Sequence, residues 1–136
     1  MDSILLVEAD VAISEQWAAA ITAAGHSVLA ASGMREALRL VQEGGIDVVV
    51  LDVYDPRAGV VELARGMEAL SDAPPIILIS GSPSSPEISA RIGAATFLPK
   101  PCEPSEVVAV VARLLERLRP VRVVDAGPPG PPRQPG

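Results

Sequence analysis

Asp47-Val48-Val49-Val50-Leu51-Asp52 sets four consecutive apolar residues between two acids. A strand that alternates inside and outside would show a polar residue at every second place. This one shows none, so both of its faces must be covered, as in a parallel sheet sandwiched between helices. Residues 4–7, 27–31, 76–79 and 96–98 read as further strands. Segments of helical spacing separate them. Ile13, Trp17, Ala20, Ile21 and Ala24 precede the stop at Gly25, and Ser32 is a suitable N-cap for a helix carrying Ala37, Leu38 and Val41, closed by Gly44-Gly45. Leu63, Met67 and Leu70 mark a third helix. Ser85-Pro86-Glu87 opens a short fourth with Ile88 and Ile92, and Pro104 opens a long last one. Five β/α repeats predict an α/β fold: a doubly wound, five-stranded parallel sheet with helices on both faces.

The remaining composition narrows the function classes. Apolar residues make up 49% of the 136 but aromatics only 2%, so the core is aliphatic. A formal charge of −6 without a basic stripe argues against nucleic acid as a ligand. One cysteine, Cys102, excludes an internal disulfide. One histidine, His26 in a helix-ending turn, leaves no Cys/His zinc cluster. No apolar run approaches the ~18 residues of a membrane span, and Met1-Asp2-Ser3 has no basic leader pattern. The expectation is a cytoplasmic domain over residues 1–119. Residues 120–136 hold six prolines and three glycines and are expected to be an unpacked tail or linker stub.

In a doubly wound sheet, ligands bind outside the carboxyl ends of the strands. Glu8, Asp52, Ser80 and Lys100 each stand at or just past the end of a strand segment, so the topology should bring them to one edge. Lys100 is the only lysine among eleven basic residues, a compact point charge set between Pro99 and Pro101. Two carboxylates facing a lysine suit metal-assisted phosphoryl transfer onto a carboxylate. A phosphodonor brings about two negative charges toward Asp52 and Glu8. Each unit pair at 4 Å costs about 4 kcal/mol at an effective dielectric of ~20. Lys100 offsets part of this, and an oxygen-seeking ion such as Mg²⁺ would supply the rest. No glycine-rich nucleotide loop and no Ser/His/Asp set is present to support another chemistry.

These residues resemble the response-regulator receiver domain of two-component signalling, over about residues 3–118. The likeness rests on Ile4-Leu5-Leu6-Val7-Glu8, Val49-Val50-Leu51-Asp52 with Pro56 four residues on, Ile77-Leu78-Ile79-Ser80-Gly81, and Phe97-Leu98-Pro99-Lys100-Pro101. It implies a flavodoxin-like, chemotaxis-receiver-like (βα)5 fold. It also implies Asp52 as phosphoacceptor, fed by a sensor histidine kinase or a histidine phosphotransfer protein. Ser80 and Lys100 would bind the phosphoryl group, with Ser80 and Phe97 as the switch pair and Pro101 in a cis peptide. Mg²⁺ would be held by Glu8, Asp52 and the backbone carbonyl of Tyr54. A receiver is a phosphoacceptor with at most self-catalysed phosphorylation and dephosphorylation, not an enzyme.

Several positions depart from the family pattern. Ala9 replaces the second of two adjacent acids, which should weaken Mg²⁺ unless Asp10, one position late, or water fills the gap. Val60 stands where a glycine is expected, with Gly59 one place early. The segment between Ser80 and Phe97 is short and carries Pro83 and Pro86, and Cys102 stands where Phe is common.

Two functions follow. One is a stand-alone receiver that changes its binding to an unknown downstream protein on phosphorylation. The other is a pseudo-receiver that binds partners regardless of phosphorylation. The last helix carries an apolar stripe broader than one core face requires. Part of it (Val108, Val111, Leu115) is therefore expected to face a second copy of the chain, unless the helix is buried more deeply.

Overall fold

The computed structural model describes residues 1–54 and 59–119. Its elements follow the order β1 (Ser3–Val7), α1 (Val11–Ala23), β2 (Ser27–Ala31), α2 (Met34–Glu43), β3 (Val48–Asp52), α3 (Val60–Glu68), β4 (Ile76–Ser80), α4 (Ser85–Arg91), β5 (Thr96–Pro99) and α5 (Pro104–Leu118). The strands form one parallel sheet in the order β2-β1-β3-β4-β5.

The unbroken apolar runs are explained by two cores, one on each face. Leu5, Val7, Val49, Leu51 and Leu78 point toward the layer of α2, α3 and α4. Their chain neighbours Ile4, Leu6, Val48, Val50 and Ile77 point toward α1 and α5. Successive side chains therefore enter opposite cores, and all five residues of β3 and of β4 are buried.

The helix starts differ from the sequence expectation in two places: Ser84 rather than Ser85 is the N-cap of α4, which puts Ser85 inside the helix. The N-cap of α2 is Gly33, not Ser32; the Ser32 N–H instead donates to Glu36 Oε1 at 3.1 Å. The glycine expected in the loop after β3 acts one position early. Gly59 takes φ +86° at the start of α3, and a Cβ there would lie 2.9 Å from Met34 Cγ.

The expected partner face on α5 is corrected by the structure. Val111 is fully buried and Leu115 is 6% exposed, together with Val107, Val110 and Leu114. The stripe is wide because α5 covers the sheet and also packs against Trp17 and Ile21 of α1. Only Leu118 is exposed, and Val108 is half-buried. Val108, Val111 and Leu115 therefore do not form a dimer surface. Residues 120–136, read as a tail, lie outside the described residues, as does Pro56. Among the described residues no helix is long and apolar enough to cross a membrane.

Leu115→Ala should lower unfolding stability by about 2–5 kcal/mol in denaturant titrations, leaving the sedimentation profile unchanged. A change in association state without loss of stability would contradict the burial described.

Candidate functional site

Because all five strands are parallel, the ends of β1, β3, β4 and β5 lie on one edge. Backbone pairing continues past them. The Glu8 N–H donates to the Ala31 carbonyl at 3.0 Å, and the Val53 N–H to Ile79 at 3.1 Å. The Lys100 N–H donates to Ser80 at 3.2 Å. These bonds fix Glu8, Asp52, Ser80 and Lys100 side by side although they are far apart in sequence. The Lys100–Pro101 peptide is cis. Gly81 has a part that sequence reasoning missed: a Cβ there would press within 3.3 Å of Lys100 Cβ, so its bareness leaves room for the lysine stem.

Asp52 is 2% exposed and Glu8 9%. Lys100 Nζ lies 2.6 Å from Asp52 Oδ1. This is a close charge contact and not a well-directed hydrogen bond. Asp52 Oδ1, Asp52 Oδ2 and Glu8 Oε1 are all buried without a hydrogen-bond partner among the described residues. Buried carboxylate oxygens left this way are costly unless a cation or proton completes them. Burial, with the Asp52 carboxyl close by, pushes the Glu8 carboxyl up to about 7. The Asp10 N–H, which donates to Glu8 Oε2 at 2.9 Å, and the Lys100 ammonium pull the other way.

The other anchor residues divide. Ser80 is buried, and its Oγ accepts the Ser82 N–H at 3.2 Å, so its own proton remains available to donate. Phe97 is half-buried and packs on the α2–α4 side. Tyr54 is 94% exposed at the rim.

Asp10 does not join the acidic pair. Its Oδ1 accepts the Ile13 N–H at 3.1 Å and caps α1, an arrangement that satisfies a free helix-end donor. The expectation that it replaces the acid missing at Ala9 is therefore corrected. No group of three His, Cys, Asp or Glu side chains gathers among the described residues.

The unpartnered oxygens of Glu8 and Asp52 nevertheless fit a hard, oxygen-seeking cation in kind, though as only two carboxylates. Two clefts flank Asp52. One of about 370 Å³ is lined by Glu8, Ala9, Met34, Val53 and Tyr54, among others. A smaller one of about 210 Å³ lies on the Lys100 side, with Trp17 and Cys102. The half-buried Cys102 thiol is raised above its ordinary value by burial and by Glu106, so it is a poor nucleophile.

The fold and edge together define a doubly wound α/β domain with an acid–lysine pocket at the carboxyl end of its central strand. The family description "response regulator receiver domain" matches residues 4–112, and the chain belongs to that family. Response regulator MprA of Mycolicibacterium vanbaalenii is 36% identical over 108 residues, which are 78% of this chain and 47% of that protein. The chain spans about half the length of the curated relatives it matches. Chemotaxis protein CheY4 of Vibrio cholerae superposes with a TM-score of 0.72 at 26% identity, covering 83% of this chain and 98% of that one. The HemR receiver domain of Leptospira biflexa gives 0.75 at 27% identity, covering 89% and 99%. The fold is thus the flavodoxin-like receiver fold that the resemblance implied.

A carboxyl whose folded pKa is raised binds its proton more tightly folded than unfolded. Its contribution is full below the unfolded value of 4.5 and is lost as pH rises through about 7. Without metal, the wild type should lose on the order of 1–3 kcal/mol more stability between pH 5 and pH 8 than Glu8→Gln does. Parallel pH profiles in urea titrations would contradict the assignment.

Proposed function

We propose that this domain accepts a phosphoryl group on Asp52 from the phosphohistidine of a sensor kinase or phosphotransfer protein. Phosphorylation then changes which downstream protein it binds in the cytoplasm. The observation that carries this reading is the buried Asp52 carboxylate, 2.6 Å from the only lysine in the chain and without a hydrogen-bond donor among the described residues.

In the transfer, an Asp52 carboxylate oxygen attacks phosphorus. The P–N bond breaks, its electron pair returns to the imidazole nitrogen, and an acyl phosphate remains on Asp52. Lys100 stands 2.6 Å from the Asp52 carboxylate beforehand and faces the phosphoryl oxygens afterwards. Ser80, with its proton free, can donate to one of them, and Phe97, level with Leu78 two residues before that edge, is the switch partner. Glu8, Asp52 and the Tyr54 carbonyl would hold Mg²⁺, whose charge offsets repulsion between donor and carboxylates. The domain is a phosphoacceptor in this scheme rather than an enzyme turning over a substrate.

A second reading, a module that binds partners without phosphorylation, draws on Ala9. A methyl group stands beside Glu8, and Asp10 is spent capping α1, which leaves the cation side with two carboxylates.

Incubation with a small phosphodonor and Mg²⁺ should add one phosphoryl mass to the intact protein and none to Asp52→Asn. No increment at saturating donor would remove the phosphoacceptor reading and leave the second. An increment surviving Asp52→Asn would show a different acceptor.

A further inference from the structure

We propose that the free edge of β2 pairs antiparallel with the β2 edge of a second copy of the chain, joining the two sheets across a two-fold axis at Leu29. The proposal does not depend on phosphoryl transfer. Strand β2 lies at one end of the sheet and pairs only with β1. The Ser27 N–H donates to the Asp2 carbonyl at 2.8 Å, and the Ala31 carbonyl accepts the Glu8 N–H at 3.0 Å. Backbone groups alternate sides along a strand, so Ser27, Leu29 and Ala31 face β1 while Val28 and Ala30 face outward. The outward groups meet no other strand and take no other backbone hydrogen bond among the described residues.

Exposed strand edges are ordinarily blunted by charge, proline or a bulge. The opposite edge strand, β5, ends in Pro99 and exposes no large apolar side chain. Strand β2 has none of these devices. It pairs with β1 residue for residue without a bulge, and from residue 24 to residue 34 no Asp, Glu, Lys or Arg occurs. Leu29 is 44% exposed, and Ser27 and Ala30 are exposed beside it. A bare, uncharged, apolar edge is a template for another strand.

Self-complementarity makes the second strand that of another copy. A two-fold axis at Leu29 sets Val28 opposite Ala30 of the other copy, and each such pair exchanges both of its N–H···O bonds. The same register lays the two Leu29 side chains against each other and covers them. It also sets His26 opposite Ser32, whose N–H donates to Glu36 Oε1 at 3.1 Å. Glu15 and Glu36 line a cleft of about 360 Å³ with Ala30 and Ser32, among others. The one histidine of each copy therefore arrives beside acids of the other. Each chain carries a formal charge of −6, and along this edge two copies approach with no like charges between the paired strands. A strand of five residues buries less than the ~1,200 Å² at which stable interfaces begin, so the dimer is weak and forms with rising concentration.

Sedimentation equilibrium of the chain over a wide concentration range should show a reversible monomer–dimer equilibrium. Amide exchange followed by NMR should show the Val28 and Ala30 N–H groups gaining protection as concentration rises. Those of Ser27, Leu29 and Ala31, already directed at β1, should not change. Leu29→Arg, at an exposed position, sets two like charges together at the axis and should weaken association at least about tenfold. Ala30→Pro removes an outward N–H that holds nothing within the sheet, and should weaken it by a similar factor. His26→Glu should weaken it about threefold, and adding Glu36→Lys should restore it. A monomer at every concentration, protection gained on a helix instead of at Val28 and Ala30, or unchanged association in Leu29→Arg would each overturn the proposal.

Discussion

Burial of the central sheet on both faces is the constraint from which the rest follows. Residues of β3 and β4 enter one core and then the other, so no polar side chain can be placed along either strand without being desolvated. Polar chemistry is excluded from the interior and forced to the strand ends. Asp52 is the last residue of β3 and is still 2% exposed, which makes its charge expensive unless a cation stands against it. Lys100 fills that place. It is held there by the backbone bond to Ser80 and by the space left at Gly81.

The two sides of Asp52 are unequal. On one side an ammonium makes a direct charge contact. On the other, Glu8 stands with a raised carboxyl pKa, a methyl at Ala9, and an Asp10 turned to the end of α1. A pocket with this asymmetry still suits phosphoryl transfer, because Lys100 and Ser80 are in place to meet phosphoryl oxygens. Its cation side is the weaker half.

Most of the fold was legible in the sequence because its signals are local. Apolar runs without alternation gave five strands within a residue or two of their observed bounds, and Gly25 and Pro104 marked helix boundaries correctly. The convergence of Glu8, Asp52, Ser80 and Lys100 was legible because a parallel sheet needs only strand ends to be known. Side-chain commitments were harder. Asp10 reads equally well as a ligand or as a cap, and only the path of the chain into α1 decides. The stripe on α5 looked too wide for one core face because its second contact, Trp17 and Ile21 of α1, is nearly a hundred residues away. The role of Gly81 carries no sequence signal, since it depends on where the lysine stem passes.

The claim that Asp52 is well held on its lysine side and short of one carboxylate on the other is tested most directly by Mg²⁺ affinity. Calorimetric titration of the wild type and of Ala9→Asp compares the pocket with and without the missing acid. The account predicts at least tenfold tighter binding in Ala9→Asp, the change expected when a carboxylate oxygen is added to a site of two. Equal affinities would contradict it, because the methyl of Ala9 would then not be what limits the cation side of the pocket.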